Sequence, residues 1–235
     1  MKRHISCTIL LLSFCAVLVQ PLPATAQAQS APHLATAVPA SAEAIWSDLT
    51  EGNGRFVVGK PKARDVVKLR DSLAASQHPK VVVLACSDSR VAPELLFDQT
   101  LGDLFVVRSA GNIADAIGIG SIEYAVEHLG SSVLVVLGHT KCGAVTAACS
   151  REKMPSVNLQ AIVDKIGRAV PKEDRSPATP ELIETAIKEN VHQSGKDVLA
   201  GSEILRHFVD QGKLTIIEAE YQLDTGKVIR LGGGN

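Results

Sequence analysis

The 235-residue chain reads as a single α/β domain with a mostly parallel sheet flanked by helices, and three observations predict it. Lys80–Ala85, Leu104–Val107 and Ser132–Leu137 are short Val- and Leu-rich runs without polar alternation, the pattern of strands covered on both faces. Between the last two, Gly118–Leu129 places Ile119, Ile122, Ala125, Val126 and Leu129 at helical spacing. A strand–helix–strand unit of this kind crosses over right-handed and makes its strands parallel. Finally, Leu214–Tyr221 turns at Asp224-Thr225-Gly226 into Lys227–Leu231, which closes the sheet with a C-terminal antiparallel strand.

From the N-terminus, Lys2 and Arg3 precede an apolar run, Ile5–Val19, and then the small residues Ala24-Thr25-Ala26 and Ala26-Gln27-Ala28. This order predicts a signal peptide over residues 1–26, too short in its apolar part to span a bilayer. An exported protein, periplasmic or secreted, is expected, with no membrane association after cleavage. Residues 27–40, rich in Ala, Pro, Gln and Ser, read as a flexible lead, and 41–235 as the folded domain. Ser41 can cap a helix with Ala44, Ile45 and Leu49 on one side. Cys142–Cys149 reads as a helix after the third strand, and Pro180–Asp210 as mostly helical with a break near Ser194-Gly195.

A net charge of −1 excludes binding driven by polyanions such as nucleic acid. One Trp among few aromatics excludes a base-stacking platform. Loss of the leader removes Cys7 and Cys15 and leaves Cys86, Cys142 and Cys149. An odd number of thiols in an oxidising compartment does not suit disulfide use alone.

Cys86 directly follows the first strand, His139 the third, and Cys142 comes three residues later. In open α/β sheets, ligands bind beyond the carboxyl ends of the strands, where strand order reverses. Two Cys and one His there make a tetrahedral zinc site with one open position, the catalytic pattern. The same residues also fit small core thiols or a Cys86–Cys142 disulfide. Asp88 and Arg90, two apart in the turn after Cys86, can pair so that the carboxylate stays ionised and aimed at a metal-bound water. Cys149 reads as a small buried thiol. His78, His128, His192 and His207 read as surface or satisfied helix positions.

These pieces together resemble the β-class carbonic anhydrases, over about Trp46 to Leu231. The matching segments, in order, are Glu51-Gly52-Asn53-Gly54-Arg55-Phe56, Ala85-Cys86-Ser87-Asp88-Ser89-Arg90-Val91 and Gly102-Asp103-Leu104-Phe105-Val106-Val107-Arg108. They continue with Gly111-Asn112, Ser121-Ile122-Glu123-Tyr124-Ala125 and Gly138-His139-Thr140-Lys141-Cys142-Gly143. The resemblance implies one zinc ion, Zn2+, per chain on Cys86, His139 and Cys142, with Asp88 and Arg90 as the catalytic dyad. It implies substrate contacts from Gln77, which hydrogen-bonds from a partner subunit, from the apolar wall residues Phe105 and Tyr124, and from the Gly143 amide. It also implies an N-terminal helical arm lying across a second copy, self-association as dimer or tetramer, and carbon dioxide and bicarbonate as the small-molecule partners. Val83 stands where some relatives carry a Trp that forms a second, inhibitory bicarbonate site, so that switch is expected to be missing. A related hydrolase of carbon disulfide or carbonyl sulfide, and a non-catalytic envelope zinc or thiol protein, remain as alternatives.

Overall fold

The computed structural model describes residues 41–172 and 178–232; the expected signal peptide and lead lie outside them. The elements in chain order are α1 (Ala42–Val57), α2 (Val66–Leu73), β1 (Val81–Cys86), α3 (Pro93–Leu96), β2 (Leu104–Ser109), a 3-10 turn (Ala110–Asn112), α4 (Ala116–Glu127) and β3 (Val133–His139). Then come α5 (Gly143–Ser150), α6 (Val157–Gly167), α7 (Pro180–Gly201), α8 (Glu203–Asp210), β4 (Thr215–Tyr221) and β5 (Val228–Arg230). The five strands form one sheet in the order β2-β1-β3-β4-β5, with only β5 antiparallel.

Central β1 and β3 are buried along their whole length, as their uninterrupted apolar runs require. Their residues alternate between two cores. Val81, Val83 and Ala85 meet Trp46 and Leu49 of α1 on one face; Val82 and Leu84 meet Ile122 of α4 and Val198 of α7 on the other. β2 departs from the expectation of two covered faces. It is an edge strand, and Leu104, Phe105, Val106 and Val107 are only half-buried. On α1, Ser41 caps as expected, its Oγ accepting from the Ala44 amide at 3.2 Å, and Ile45 and Leu49 face the core. Ala44 does not; Trp46 takes that place.

α7 runs unbroken through Ser194-Gly195 instead of stopping there. Both residues are buried, and a Cβ on Gly195 would come within 3.2 Å of the Glu218 side chain. The small pair thus serves close packing on β4 rather than a break. The chain breaks at Ser202, whose extended backbone ends α7 and whose Oγ caps α8 through the Leu205 amide at 3.0 Å.

The segment Gly52-Asn53-Gly54-Arg55 acquires a physical role. Gly52 lies against the Phe97 backbone, where a Cβ would collide. Buried Asn53 donates to Leu96 O and Gly226 O at 3.0 and 2.9 Å and accepts from the Val228 amide at 2.9 Å, tying α1 to α3 and to the β4–β5 hairpin. Arg55 and Arg64 both bind the Asp98 carboxylate, whose side chain is 2% exposed. Burial alone would raise that carboxyl; hydrogen bonds from the two arginines and from the Lys62 amide outweigh it and hold it at about 2. An unfolded Asp titrates near 3.9, so the resulting stabilisation is complete above about pH 4 and is lost as pH falls through about 2. Asp98→Asn is expected to lower stability at neutral pH by about 2–3 kcal/mol, since it leaves two guanidinium groups short of their charge partner. Urea titrations at pH 7 and pH 3 check this: the deficit of the variant should shrink at the lower pH.

Candidate metal centre

The strand order places β1 and β3 side by side at the point where the chain turns from one half of the sheet to the other. Cys86 and His139 end these two strands, and Cys142 caps α5 after a short turn. That turn needs Lys141 at a φ of 56°. It is fixed by Thr140, whose amide donates to Tyr221 O and whose Oγ1 accepts from the Leu223 amide, both at 3.0 Å. The three side chains are buried and their ligand atoms lie within 4.8 Å of one another.

The donor set fits a metal ion. His139 Nδ1 lies 2.9 Å from Thr140 O. A carbonyl can only accept, so Nδ1 carries the proton and the Nε2 lone pair is free. Nε2 is buried and has no partner among the described residues, which is costly unless a ligand takes it up. Cys86 Sγ accepts from the amides of Asp88 at 3.4 Å and Gly111 at 3.3 Å. The Cys142 thiol beside it, opposed by burial and joined by those two amides, draws the Cys86 thiol well below its ordinary value. Cys142 is pushed up by Cys86 and by its deep burial, while the Ala144 and Val145 amides at the start of α5 pull the other way. A dication placed between these groups would meet both sulfurs and His139 Nε2.

Asp88 stands at the rim, with Oδ2 3.9 Å from His139 Nε2. Arg90 holds it with Nε to Oδ1 at 2.9 Å, Nη2 to Oδ2 at 2.7 Å and its own amide to Oδ1 at 2.9 Å. Those bonds keep the Asp88 carboxyl far below the usual carboxylate range, against the opposing effect of its partial burial. Gly143 opens α5 beside Cys142 and is exposed.

Gln77, Phe105 and Tyr124 are not brought to this centre within one chain. Phe105 is in register with Val82, whereas Cys86 is opposite Ser109, a separation of about 13 Å along the strand. The Phe105 and Tyr124 rings lie 6.3 Å apart. Gln77 and Tyr124 line one groove, with Leu73 and Leu101, beyond the opposite end of the sheet. Two clusters therefore exist: Cys86, His139, Cys142, Asp88 and Arg90 at the carboxyl end of the strands, and Gln77, Phe105 and Tyr124 toward the other end. Cys149 is buried, and His78, His128, His192 and His207 are exposed, as expected.

Several contributors were not evident from sequence. The Gly111 amide reaches Cys86 from a turn at φ 70° in which a Cβ would strike Ile166 and Ala144. Buried Asn190 of α7 anchors that turn by donating to Gly111 O at 2.8 Å. Arg108 of β2 donates from Nε to Cys86 O at 3.0 Å and from Nη2 to Asp88 O at 2.7 Å. Arg108 and Asn190 act on backbone carbonyls and Gly111 through its own amide, across chain separations of 20 residues or more, so the motifs that contain Arg108 and Gly111 do not display these roles.

The family model described as Carbonic anhydrase matches residues 81–228, which include all three ligands and the dyad. The chain belongs to the carbonic anhydrase family. Carbonic anhydrase 2 of Mycobacterium tuberculosis is 39% identical over 190 residues, 79% of this chain and 91% of that protein. A carbonic anhydrase of Pseudomonas aeruginosa is 32% identical over 197 residues, 80% and 88% of the two chains. Among solved structures, the β-carbonic anhydrase CcaA superposes with a TM-score of 0.63 at 30% identity, over 80% of this chain and 95% of that one. Fold and family thus agree on the β class, whose members share the mostly parallel sheet described above.

Proposed function

We propose that this chain is a zinc enzyme that interconverts carbon dioxide with bicarbonate and a proton. The observation that carries the reading is the buried Cys86, His139 and Cys142 set, with its unpartnered Nε2, beside a carboxylate pinned by Arg90. Zinc bound there supplies Lewis acidity that brings the ionisation of a water toward neutral pH. Cys86, His139 and Cys142 hold the ion and cancel its charge with two thiolates. Asp88, ionised throughout the neutral range, accepts a hydrogen bond from the attacking water and aims its lone pair. Arg90 keeps both carboxylate oxygens in place while this happens. The Gly143 amide, at the start of α5, is available to the substrate oxygen.

The related β-carbonic anhydrase from Coccomyxa is described as a complex with acetazolamide. That sulfonamide, added to a stopped-flow assay of proton release on the metal-loaded chain, tests the reading. Carbon dioxide-dependent release that acetazolamide abolishes is expected. Turnover of carbonyl sulfide or carbon disulfide without carbon dioxide hydration, or zinc without any turnover, would overturn it. Val83 is fully buried in the sheet and offers no bicarbonate contact. Hydration is therefore expected to rise smoothly with a single ionisation above about pH 7. A loss steeper than one proton between about pH 8 and 7, relieved by removing bicarbonate, would show a regulatory site after all.

The site is completed by a second copy. α2 buries none of its residues and exposes Val66 and Val67, β2 is a half-covered edge, and α4 exposes Ile117 and Tyr124. A two-fold partner laid on this surface delivers its own Gln77, Phe105 and Tyr124 to the metal, which explains the two separate clusters. A related pair of Sordaria macrospora enzymes is described as tetrameric, with a TM-score of 0.64 at 27% identity. Tyr124→Asp is expected to weaken the dimer about thirtyfold, a loss of about 2 kcal/mol, and to lower hydration with it. Light scattering across a dilution series checks this. Export belongs to the same proposal: mature protein from the cell envelope should begin near Gln27 or Gln29 by mass spectrometry, and an intact Met1 on membrane-bound material would reject it.

A further inference from the structure

The turn Cys86-Ser87-Asp88 carries a metal ligand and the catalytic carboxylate on consecutive peptides, so its pitch sets the distance between them. The Ser87 amide donates to Ser109 O at 3.0 Å, and the Asp88 amide reaches back to Cys86 Sγ at 3.4 Å. The Val91 amide donates to Asp88 O at 2.9 Å, but none of these bonds ties the carbonyl of Asp88 to that of Cys86. Arg108 does. Its Nε and Nη2 reach the two carbonyls at 3.0 and 2.7 Å. A guanidinium is planar and always charged, and it holds two acceptors at one fixed separation; an ammonium does not. The residue lies on edge strand β2 and is exposed within the single chain, so its bonds are not an incidental result of packing in the chain's own core.

We propose that Arg108 is a positioning residue for the hydration reaction: its fork on the carbonyls of Cys86 and Asp88 fixes the Asp88 carboxylate relative to the metal. Unlike Arg90, which grips the carboxylate itself, Arg108 acts only through the backbone. Outer contacts of this kind typically change activity or metal affinity 10–100-fold.

The proposal rests on the metal reading above, so wild type is measured first. Wild type that binds no zinc overturns both. With zinc bound, R108A and R108K are compared by steady-state hydration and by the absorption spectrum of the cobalt(II)-substituted protein. The expected result is kcat lowered about 10–100-fold in R108A with KM within about threefold, and a smaller loss in R108K, which satisfies one carbonyl. The cobalt bands should shift in both, because Cys86 is re-aimed. Millimolar guanidinium chloride should restore part of kcat to R108A, and equal sodium chloride should not. Variants that melt lower but keep wild-type kcat and an unchanged cobalt spectrum would overturn the proposal. If R108A fails to fold, R108K decides by the same spectrum and kcat.

Discussion

Cys142→Ser is expected to emerge from dialysis against a chelator without zinc and with hydration at background. A Ser hydroxyl stays neutral at any working pH, whereas the Cys142 thiol, although Cys86 and burial push it up in the free site, can surrender its proton to a bound metal. Zinc held by cysteine and histidine binds with about 10–16 kcal/mol over its full ligand set. One ligand is thus worth about 3–4 kcal/mol, or roughly three hundredfold in affinity. Elemental analysis after dialysis measures it, and undiminished zinc would remove Cys142 from the set. His139→Ala should act similarly, since Nε2 is the one nitrogen facing the two sulfurs with no other partner among the described residues.

Asp88→Asn should separate metal binding from turnover. The amide keeps the shape of the carboxylate and the centre keeps its three ligands, so zinc content should be unchanged. Hydration should fall about 100-fold or more, because an amide nitrogen presented to the water donates where an acceptor is needed. The Asp88–Arg90 pair contributes little stability, with the Arg90 side chain 54% exposed, so the melting temperature should move little. Arg90→Ala should reproduce most of the loss by releasing both carboxylate oxygens. Asp88→Asn with wild-type hydration across the pH range would show that the carboxylate is not needed.

The parts of the molecule most legible in its sequence are those whose constraint is continuous along the chain. β1 and β3 are buried on both faces, so their runs stay apolar up to the ends, where Cys86 and His139 stand. α4 shows its helical stripe because one face meets the sheet. By contrast, α2 buries nothing within its own chain and therefore carries no stripe that points to a core. α6 packs as a short second layer on α5, and Ser194-Gly195 looks like a break because close packing and helix breaking call for the same small residues. The grouping of Cys86, His139 and Cys142 and the pairing of Asp88 with Arg90 were readable since their chemistry is local: strand end, turn, helix start. The roles of Arg108, Gly111 and Asn190 were not, because Arg108 and Asn190 hold backbone carbonyls and Gly111 acts through its own amide, and none of these has a signature in sequence.

Asn53 links residues that the ribosome makes at nearly opposite ends of the domain: its bonds to Gly226 and Val228 span 173 and 175 positions. These contacts raise the mean sequence separation of the fold, a property that slows folding. They also reverse the order of events. α1 is synthesised first, yet its buried amide finds two of its three partners only after the β4–β5 hairpin exists. A chain cut short before Gly226 should therefore fail at its beginning, with α1 undocked and easily cleaved by a protease, although the missing residues are at its end.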